Sequence, residues 1–193
     1  MIDEPAAARL VEAFANTVDV ELDTDTLSTP VGLHDWLLEH GLLDRPHRVG
    51  SDDHSRCLRL RDGIREELGA NVGEMPDRAV LAGADAALRE LPLLAQVRAP
   101  GATGRAEEAL VPDPRLSPVS QALARLAAAW AQLTVTGEAA RLKRCAEHNC
   151  AWVFWDVSKN RSRRWCSMRV CGNRAKARRR TARQSADRVS AAV

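Results

Sequence analysis

The sequence predicts a mainly α-helical fold: a helical N-terminal domain with a short β-hairpin, followed by a small β-hairpin–helix module. Hydrophobic residues make up 45% of the 193 positions, which is enough to bury a core. There is no Tyr and there are only two Phe, so Leu, Ala and Val must fill that core. Such a composition favours packed helices over an aromatic-rich sheet. The C-terminal part differs in charge and in cysteine content.

Apolar residues recur at helical spacing along much of the first 140 residues. Pro5 suits the start of the first helix, and Gly41 suits the end of the second. The short apolar segments 91–97 and 109–111 flank a Pro- and Gly-containing turn at 100–104, which predicts a hairpin. Segments 19–30 and 42–52 are predicted to be loops. The predicted helices are 5–20, 31–40, 55–68, 78–90 and 120–135.

Charge divides the chain into two parts. Residues 1–140 hold 13 Arg and no Lys against 23 acidic residues, a net charge of −10, whereas residues 141–183 reach +12. An acidic body with a basic end indicates a region that binds a polyanion, although the body could simply offset the charge of the tail. We therefore predict two domains, residues 1–140 and 141–187.

Four cysteines follow the pattern C-x4-C-x15-C-x4-C, at Cys145, Cys150, Cys166 and Cys171. Paired cysteines on two turns supply the tetrahedral thiolate set that Zn²⁺ prefers, and a reducing compartment disfavours disulfides. Four thiolates leave no open position, so the pattern predicts one structural Zn²⁺ rather than a catalytic metal. His148 is the alternative ligand, but a surface position is the simpler interpretation. We expect Lys143, Arg144 and Arg164 to offset the negative charge of the zinc–thiolate site.

Strand-forming residues and then turn residues separate the two cysteine pairs. Segment 152–155 is predicted to form a strand, 156–160 a turn, and 163–165 the returning strand. A helix would follow Cys171. The aromatic residues of this segment would form a small core or stack on bases. So small a module would take much of its folding energy from zinc.

The predicted helix at 173–185 is densely basic, and cations surround it almost completely. Phosphate is the natural counterpart of such a helix, and Arg also reads guanine in the major groove. The alternative is a solvated tail or one docked on the acidic body. The best predicted contacts are Arg174, Lys176, Arg178 and Arg179. The full predicted nucleic-acid-binding set is Arg163, Arg164, Arg174, Lys176, Arg178, Arg179, Arg180 and Arg183.

Two segments resemble known family motifs. Residues 165–176, WCSMRVCGNRAK, are similar to the signature of the CGNR zinc finger, and Cys145-x4-Cys150-x-Trp152-x-Phe154-x-Asp156 fits its first half. Residues 14–19, FANTVD, resemble the opening motif of the ABATE domain, which accompanies this finger. The resemblance implies a bacterial stress-induced transcription regulator with a helical N-terminal domain. It also implies zinc on the four cysteines.

We therefore expect a DNA-binding transcription regulator whose helical body senses a signal or forms a homodimer. An RNA-binding module and a protein-interaction module for an acidic partner are the alternatives. Asn16 and Asp19 could belong to a ligand pocket or could serve local capping and hydrogen bonding, and the effector is not defined by the sequence.

Neither catalysis nor membrane insertion is expected. The sequence has no Gly-rich phosphate loop and no nucleophile elbow, so we do not expect an enzyme. Its start lacks the features of a secretory signal, and its most apolar stretch, 122–131, is too short for a bilayer. A cytoplasmic protein with no membrane partner is the expectation.

Overall fold

The computed structural model describes the backbone of residues 3–97 and 110–190, and the side chains of those residues as far as Gln184. The described part is mainly helical, as predicted, with three two-stranded antiparallel sheets. Its helices are α1 (Ala6–Ala15), α2 (Pro30–Glu39), α3 (Ser51–Ala70), α4 (Arg78–Arg89), α5 (Pro118–Val135) and α6 (Asn173–Ser190). Its strands are β1 (Val18–Asp19), β2 (Thr24–Asp25), β3 (Leu93–Ala95), β4 (Leu110–Pro112), β5 (Leu142–Arg144) and β6 (Val153–Trp155). None of the described helices has the length and apolar character needed to cross a membrane.

Three helices begin at polar residues that cap free backbone N–H groups. The side chain of Thr29 accepts a hydrogen bond from Gly32 before α2, and Ser117 does the same for Ser120 before α5. A proline follows each of these caps, where its missing N–H costs nothing. Asp77 caps α4. These caps explain why the helices begin where they do.

The predicted hairpin is present as β3 and β4, with Leu93 opposite Pro112. Its predicted turn at 100–104 and Ala109 lie outside the described residues. The first helix, predicted over 5–20, ends at Ala15, and a second small hairpin, β1–β2, with Val18 opposite Asp25, replaces its last residues and part of the predicted loop at 19–30.

One buried core connects the helical body with the first strands of the C-terminal module. It contains Phe14 from α1, Leu60 from α3 and Leu126 from α5, all fully buried. Trp36 and Cys57 also belong to it. The core continues into the module through Leu142, Val153 and Trp155. The strands that hold the first cysteine pair are therefore packed against the body.

The pairing of strands in the C-terminal module differs from the prediction. Strand β6 pairs with β5 rather than with 163–165, and Leu142 lies opposite Trp155. Residues 163–165 form no strand. The Arg163 N–H donates instead to the carboxylate of Asp156 at 3.0 Å, and the Arg164 carbonyl accepts from Ala146 at 2.9 Å. These contacts fold the segment back over the end of the hairpin.

Candidate metal centre and basic helix

Four cysteine thiols converge at the end of the hairpin where β5 ends and β6 begins. The Sγ atoms of Cys145, Cys150, Cys166 and Cys171 all lie within 4.8 Å of one another. The Sγ atom of Cys166 is 3.6 Å from that of Cys150 and 3.7 Å from that of Cys171. Zn–S bonds of about 2.3 Å in a tetrahedron place sulfurs about 3.8 Å apart. The spacing therefore fits one tetrahedral metal ion.

Backbone hydrogen bonds shape the turn that carries the first cysteine pair. The N–H groups of Cys150 and Ala151 both donate to the Glu147 carbonyl, at 2.8 and 2.9 Å. The Cys145 N–H donates to the Trp152 carbonyl at 2.8 Å. Ala151 has a φ of 48°, which closes the turn in a left-handed conformation. Both sulfurs of the pair thus face the same point.

A π-helical turn, Met168–Gly172, positions Cys171. The side chain of Ser167 accepts a hydrogen bond from the Val170 N–H at 3.3 Å and so caps this turn. Gly172 lies against the Met168 side chain, since a Cβ at this position would come 2.7 Å from Sδ. The wide turn brings Cys171 to the metal site immediately before α6 begins.

The chemistry of the four thiols fits zinc. Burial, followed by the neighbouring cysteines, raises the pKa of the Cys166 thiol well above its usual range. Burial also raises the pKa of Cys171, to about 12. Because of these raised pKa values, the thiols ionise together only when a cation lies between them and offsets the repulsion of four thiolates at this distance. The site therefore holds one structural Zn²⁺ on Cys145, Cys150, Cys166 and Cys171.

His148 is not a ligand, because its side chain is 83% exposed and lies 4.0 Å from Glu74.

Two of the cations expected to offset the zinc–thiolate charge have other partners. Arg144 donates to the carboxylates of Glu66 at 3.1 Å and Glu74 at 2.6 Å, so it joins the module to α3 and the residues after it. The Lys143 ammonium pairs with Asp156 at 2.8 Å, and both side chains are buried. Lys143 and Arg144 thus each have carboxylate partners, and their role in offsetting the zinc–thiolate charge stays a prediction.

The Lys143–Asp156 pair closes the loop between the two cysteine pairs. Lys143 also donates to the carbonyls of Arg161 and Arg163, at 2.5 and 2.8 Å. Asp156 accepts from the backbone of Ser158 and Arg163. Although burial raises the pKa of Asp156, these hydrogen bonds lower it to about 2. The pair is satisfied on both sides and so fixes the loop.

A buried carboxylate in the first cysteine turn holds the basic helix. The Arg178 guanidinium donates to both oxygens of Glu147, at 2.6 and 2.5 Å. The Glu147 side chain is 1% exposed, and the hydrogen bonds from Arg178 lower its pKa. A bidentate pair of this kind fixes orientation as well as distance. Zinc and this ion pair together hold α6 against the module.

Two more of the residues predicted to contact nucleic acid, Arg174 and Arg163, form contacts within the protein. Arg174 pairs with Glu21 of the helical body at 2.9 Å. Arg163 donates to the Cys166 carbonyl at 2.6 Å and lies 4.8 Å from the centre of the Phe154 ring. Arg163, Arg174 and Arg178 therefore already have carboxylate or carbonyl partners within the protein.

The remaining predicted contacts form what we call the free cationic face: Arg164, Lys176, Arg179, Arg180 and Arg183. All five side chains are exposed, and within the described ranges none has a hydrogen bond or ion pair. At 100° per residue, the four on α6 fall within an arc of about 100°, nearly opposite Arg174 and Arg178. Arg164 and Arg179 line the same cavity, of about 230 Å³, beside Trp165. The basic helix thus has an anchored side and a free side.

The structure places Asn16 and Asp19 at contacts within the protein. The Asn16 amide donates to the Val153 carbonyl at 2.9 Å, and its carbonyl accepts from the Val153 N–H at 2.8 Å. Asp19 accepts from the backbone of Glu21 and Leu22, which closes the β1–β2 turn. Asn16 therefore connects α1 with β6, and its amide is used by the backbone of the module.

Arg65 adds a second connection at the same corner. It is 7% exposed and donates to the carbonyls of Ala15 and Ala151. Burial, and then the charges of Arg144 and Arg61, lower its pKa to about 10. The sequence patterns singled out neither Arg65 nor Glu147, since the partners of both are distant in sequence.

The aromatic residues of the module divide into buried and exposed members. Phe154 packs with the cysteines and with half-buried Trp165, while Trp155 joins the core of the body. Trp152, in contrast, is 38% exposed. The small core predicted for these residues is therefore present with Phe154 and Trp165 but without Trp152 and Trp155.

Both parts of the chain match protein-family models. Residues 141–184 match the model of the CGNR zinc finger. Residues 8–138 match the ABATE model, which carries the description "Putative stress-induced transcription regulator". No curated protein matches the chain. The two models meet just before β5, where the polypeptide passes from the helical body into the zinc module.

Proposed function

This chain belongs to the ABATE family and carries a CGNR zinc finger, and from that premise we propose that it is a transcription regulator that binds duplex DNA through α6. The observation that carries the proposal is the free cationic face. Its five side chains are exposed, and none is neutralised by a described residue of the protein. Such cations gain free energy by replacing the counterions that surround DNA phosphates.

The anchored side of α6 supports this role. Arg178 and Arg174 are held by Glu147 and Glu21, so the helix is oriented before any ligand arrives. A positioned helix loses less conformational entropy on binding than a solvated tail. In this proposal, zinc maintains the turn that carries Glu147, while the opposite side of α6 contacts DNA. The closed set of four thiolates leaves zinc no open position for a substrate, which supports a structural role for this metal.

A charge-matched pair of variants tests the proposal. One variant carries Lys176→Gln, Arg179→Gln, Arg180→Gln and Arg183→Gln. The control replaces exposed arginines of the body in the same way: Arg9, Arg48, Arg78 and Arg89. With a 30-base-pair duplex at about 0.1 M salt, we expect the first variant to lose about 100-fold or more in affinity by fluorescence anisotropy. The control should lose little, and an equal loss in both would refute a specific DNA-binding face.

Exposed Trp152 favours one alternative function, the binding of single-stranded RNA. Aromatic side chains beside basic residues stack on unpaired bases. Competition between duplex DNA and single-stranded RNA distinguishes the two, together with Trp152→Ala. Tighter binding of single-stranded RNA than of duplex DNA, together with a loss of RNA affinity of about 10-fold or more in the Trp152→Ala variant, would favour this alternative.

A further inference from the structure

Two adjoining cavities lie in the helical body, away from the zinc module. The larger, of about 660 Å³, lies between α1, α5 and the β3–β4 hairpin. The smaller, of about 380 Å³, lies beside it near the residues that follow α2. Leu42, Gln121 and Arg125 line both cavities. The two cavities are therefore parts of one site with a shared wall.

The larger cavity is mainly apolar. Small side chains of α1 and α5, including Ala7 and Ala128, leave room at its base. Leu94 and Leu110 of the hairpin line it as well, and they are 43% and 38% exposed. Exposed leucines that converge on a cavity gain free energy when an apolar ligand covers them. A volume of this size lies within the range that small organic ligands occupy.

The shared wall and the smaller cavity carry positive charge. Arg125 donates to the Leu42 carbonyl at 2.7 Å, and no carboxylate pairs with it among the described residues. Arg45 and His47 line the smaller cavity, and Asp44 is the acidic residue there. Other arginines of the acidic body, such as Arg56 and Arg61, are neutralised by carboxylates. Arg125 is exposed and lines both cavities, so its guanidinium is open to a ligand there.

We propose that these cavities bind an amphipathic monocarboxylate, with its apolar chain in the larger cavity and its carboxylate at Arg125. The guanidinium has donors left over after its bond to Leu42, whereas the amide nitrogen of nearby Gln121 already donates to the carbonyls of Leu116 and Pro114. A guanidinium recognises a carboxylate through paired, charge-assisted hydrogen bonds. The site gives the helical body a ligand-binding role at a place separate from Asn16 and Asp19. It does not depend on whether α6 binds DNA.

Calorimetric titration of the zinc-loaded full-length protein with sodium decanoate, and with decanol as the neutral match, tests this site. We expect saturable binding of decanoate and binding of decanol that is weaker by about 10-fold or more. Arg125→Gln should weaken decanoate binding to the level of decanol. Ala128→Leu, which fills the base of the apolar cavity, should weaken both. Arg89→Gln, an exposed change on α4, should alter neither.

Thermal unfolding of each variant establishes that the helical body remains folded. The proposal is overturned if decanoate shows no saturable binding, if decanol binds as tightly, or if either cavity variant binds like the unchanged protein. An equal loss of affinity in the Arg89→Gln variant would also overturn it, because the effect would then reflect overall charge.

Discussion

At the scale of single residues, Asn16 shows how one side chain connects two parts of the molecule. Its amide forms both available backbone hydrogen bonds with Val153, which lies 137 positions away in the sequence. Asn is suited to this position because its side chain carries a donor and an acceptor, like the edge of a strand. In effect Asn16 extends the β5–β6 hairpin by one residue from the helical body.

Glu12, on the same helix, should make stability depend on pH. Burial, and then the nearby Glu4 carboxylate, raise the pKa of Glu12 to about 7. The folded state therefore keeps a proton that the unfolded chain loses above its ordinary value of 4.5. Folding stability should fall as pH rises between these values, because the unfolded chain releases this proton while the folded state retains it.

Glu12→Gln removes this ionisation while keeping the shape of the side chain. We expect the variant to be more stable than the unchanged protein by about 1–2 kcal/mol at pH 8, a figure reduced for solvent screening of the carboxyl. This gain should shrink toward pH 6. Urea unfolding from pH 6 to pH 8.5, with zinc present, measures the difference. Glu67→Gln on the exposed side of α3 is the control. A gain that stays constant over this range would contradict the assignment.

Residue patterns identified the cysteines but not the groups that hold them in place. A repeated spacing of cysteines is visible in sequence because the ligands come from two short turns. Glu147 and Arg65 have no such spacing, because each acts on a partner that only folding brings near. Arg174 and Arg178 were predicted to contact nucleic acid, since sequence alone cannot show which cations already have a carboxylate partner.

At the scale of elements, the helices were predictable because their apolar spacing and their caps agree. The starts at Thr29 and Ser117 combine a capping side chain with proline, and both are readable in the sequence. The pairing of β5 with β6 was not predictable in this way. The strand formers at 153–155 fit either neighbour, and the buried Lys143–Asp156 pair determines which segment lies beside them.

The orientation of α6 should depend on the bidentate pair between Arg178 and Glu147. Arg178→Lys keeps the charge but replaces two directed donors with a single ammonium. We expect backbone amides of residues 173–184 to exchange with deuterium about tenfold faster, since the helix would detach more often. Arg180→Lys on the free side is the matched control. Equal exchange in both variants would show that the ion pair does not hold the helix.

At the scale of the whole molecule, the body and the zinc module form one folded unit with unequal charge. The core is continuous from Phe14 to Val153 and Trp155, so the module is packed on the body. The acidic body also supplies Glu21 to Arg174 at 2.9 Å. Part of the acidic charge thus orients the basic helix, and the remaining cations stay free. This division follows from the fold and could not be derived from net charge.

In the proposed function, zinc and the anchored side of α6 present the free cationic face to DNA. The most direct test is the slope of log affinity against log salt for the zinc-loaded protein and duplex DNA. Contacts from all five side chains of the free cationic face would give a slope of about −4.5. The variant lacking the four α6 cations of this face should give about −1. A slope near zero for the unchanged protein would contradict the account.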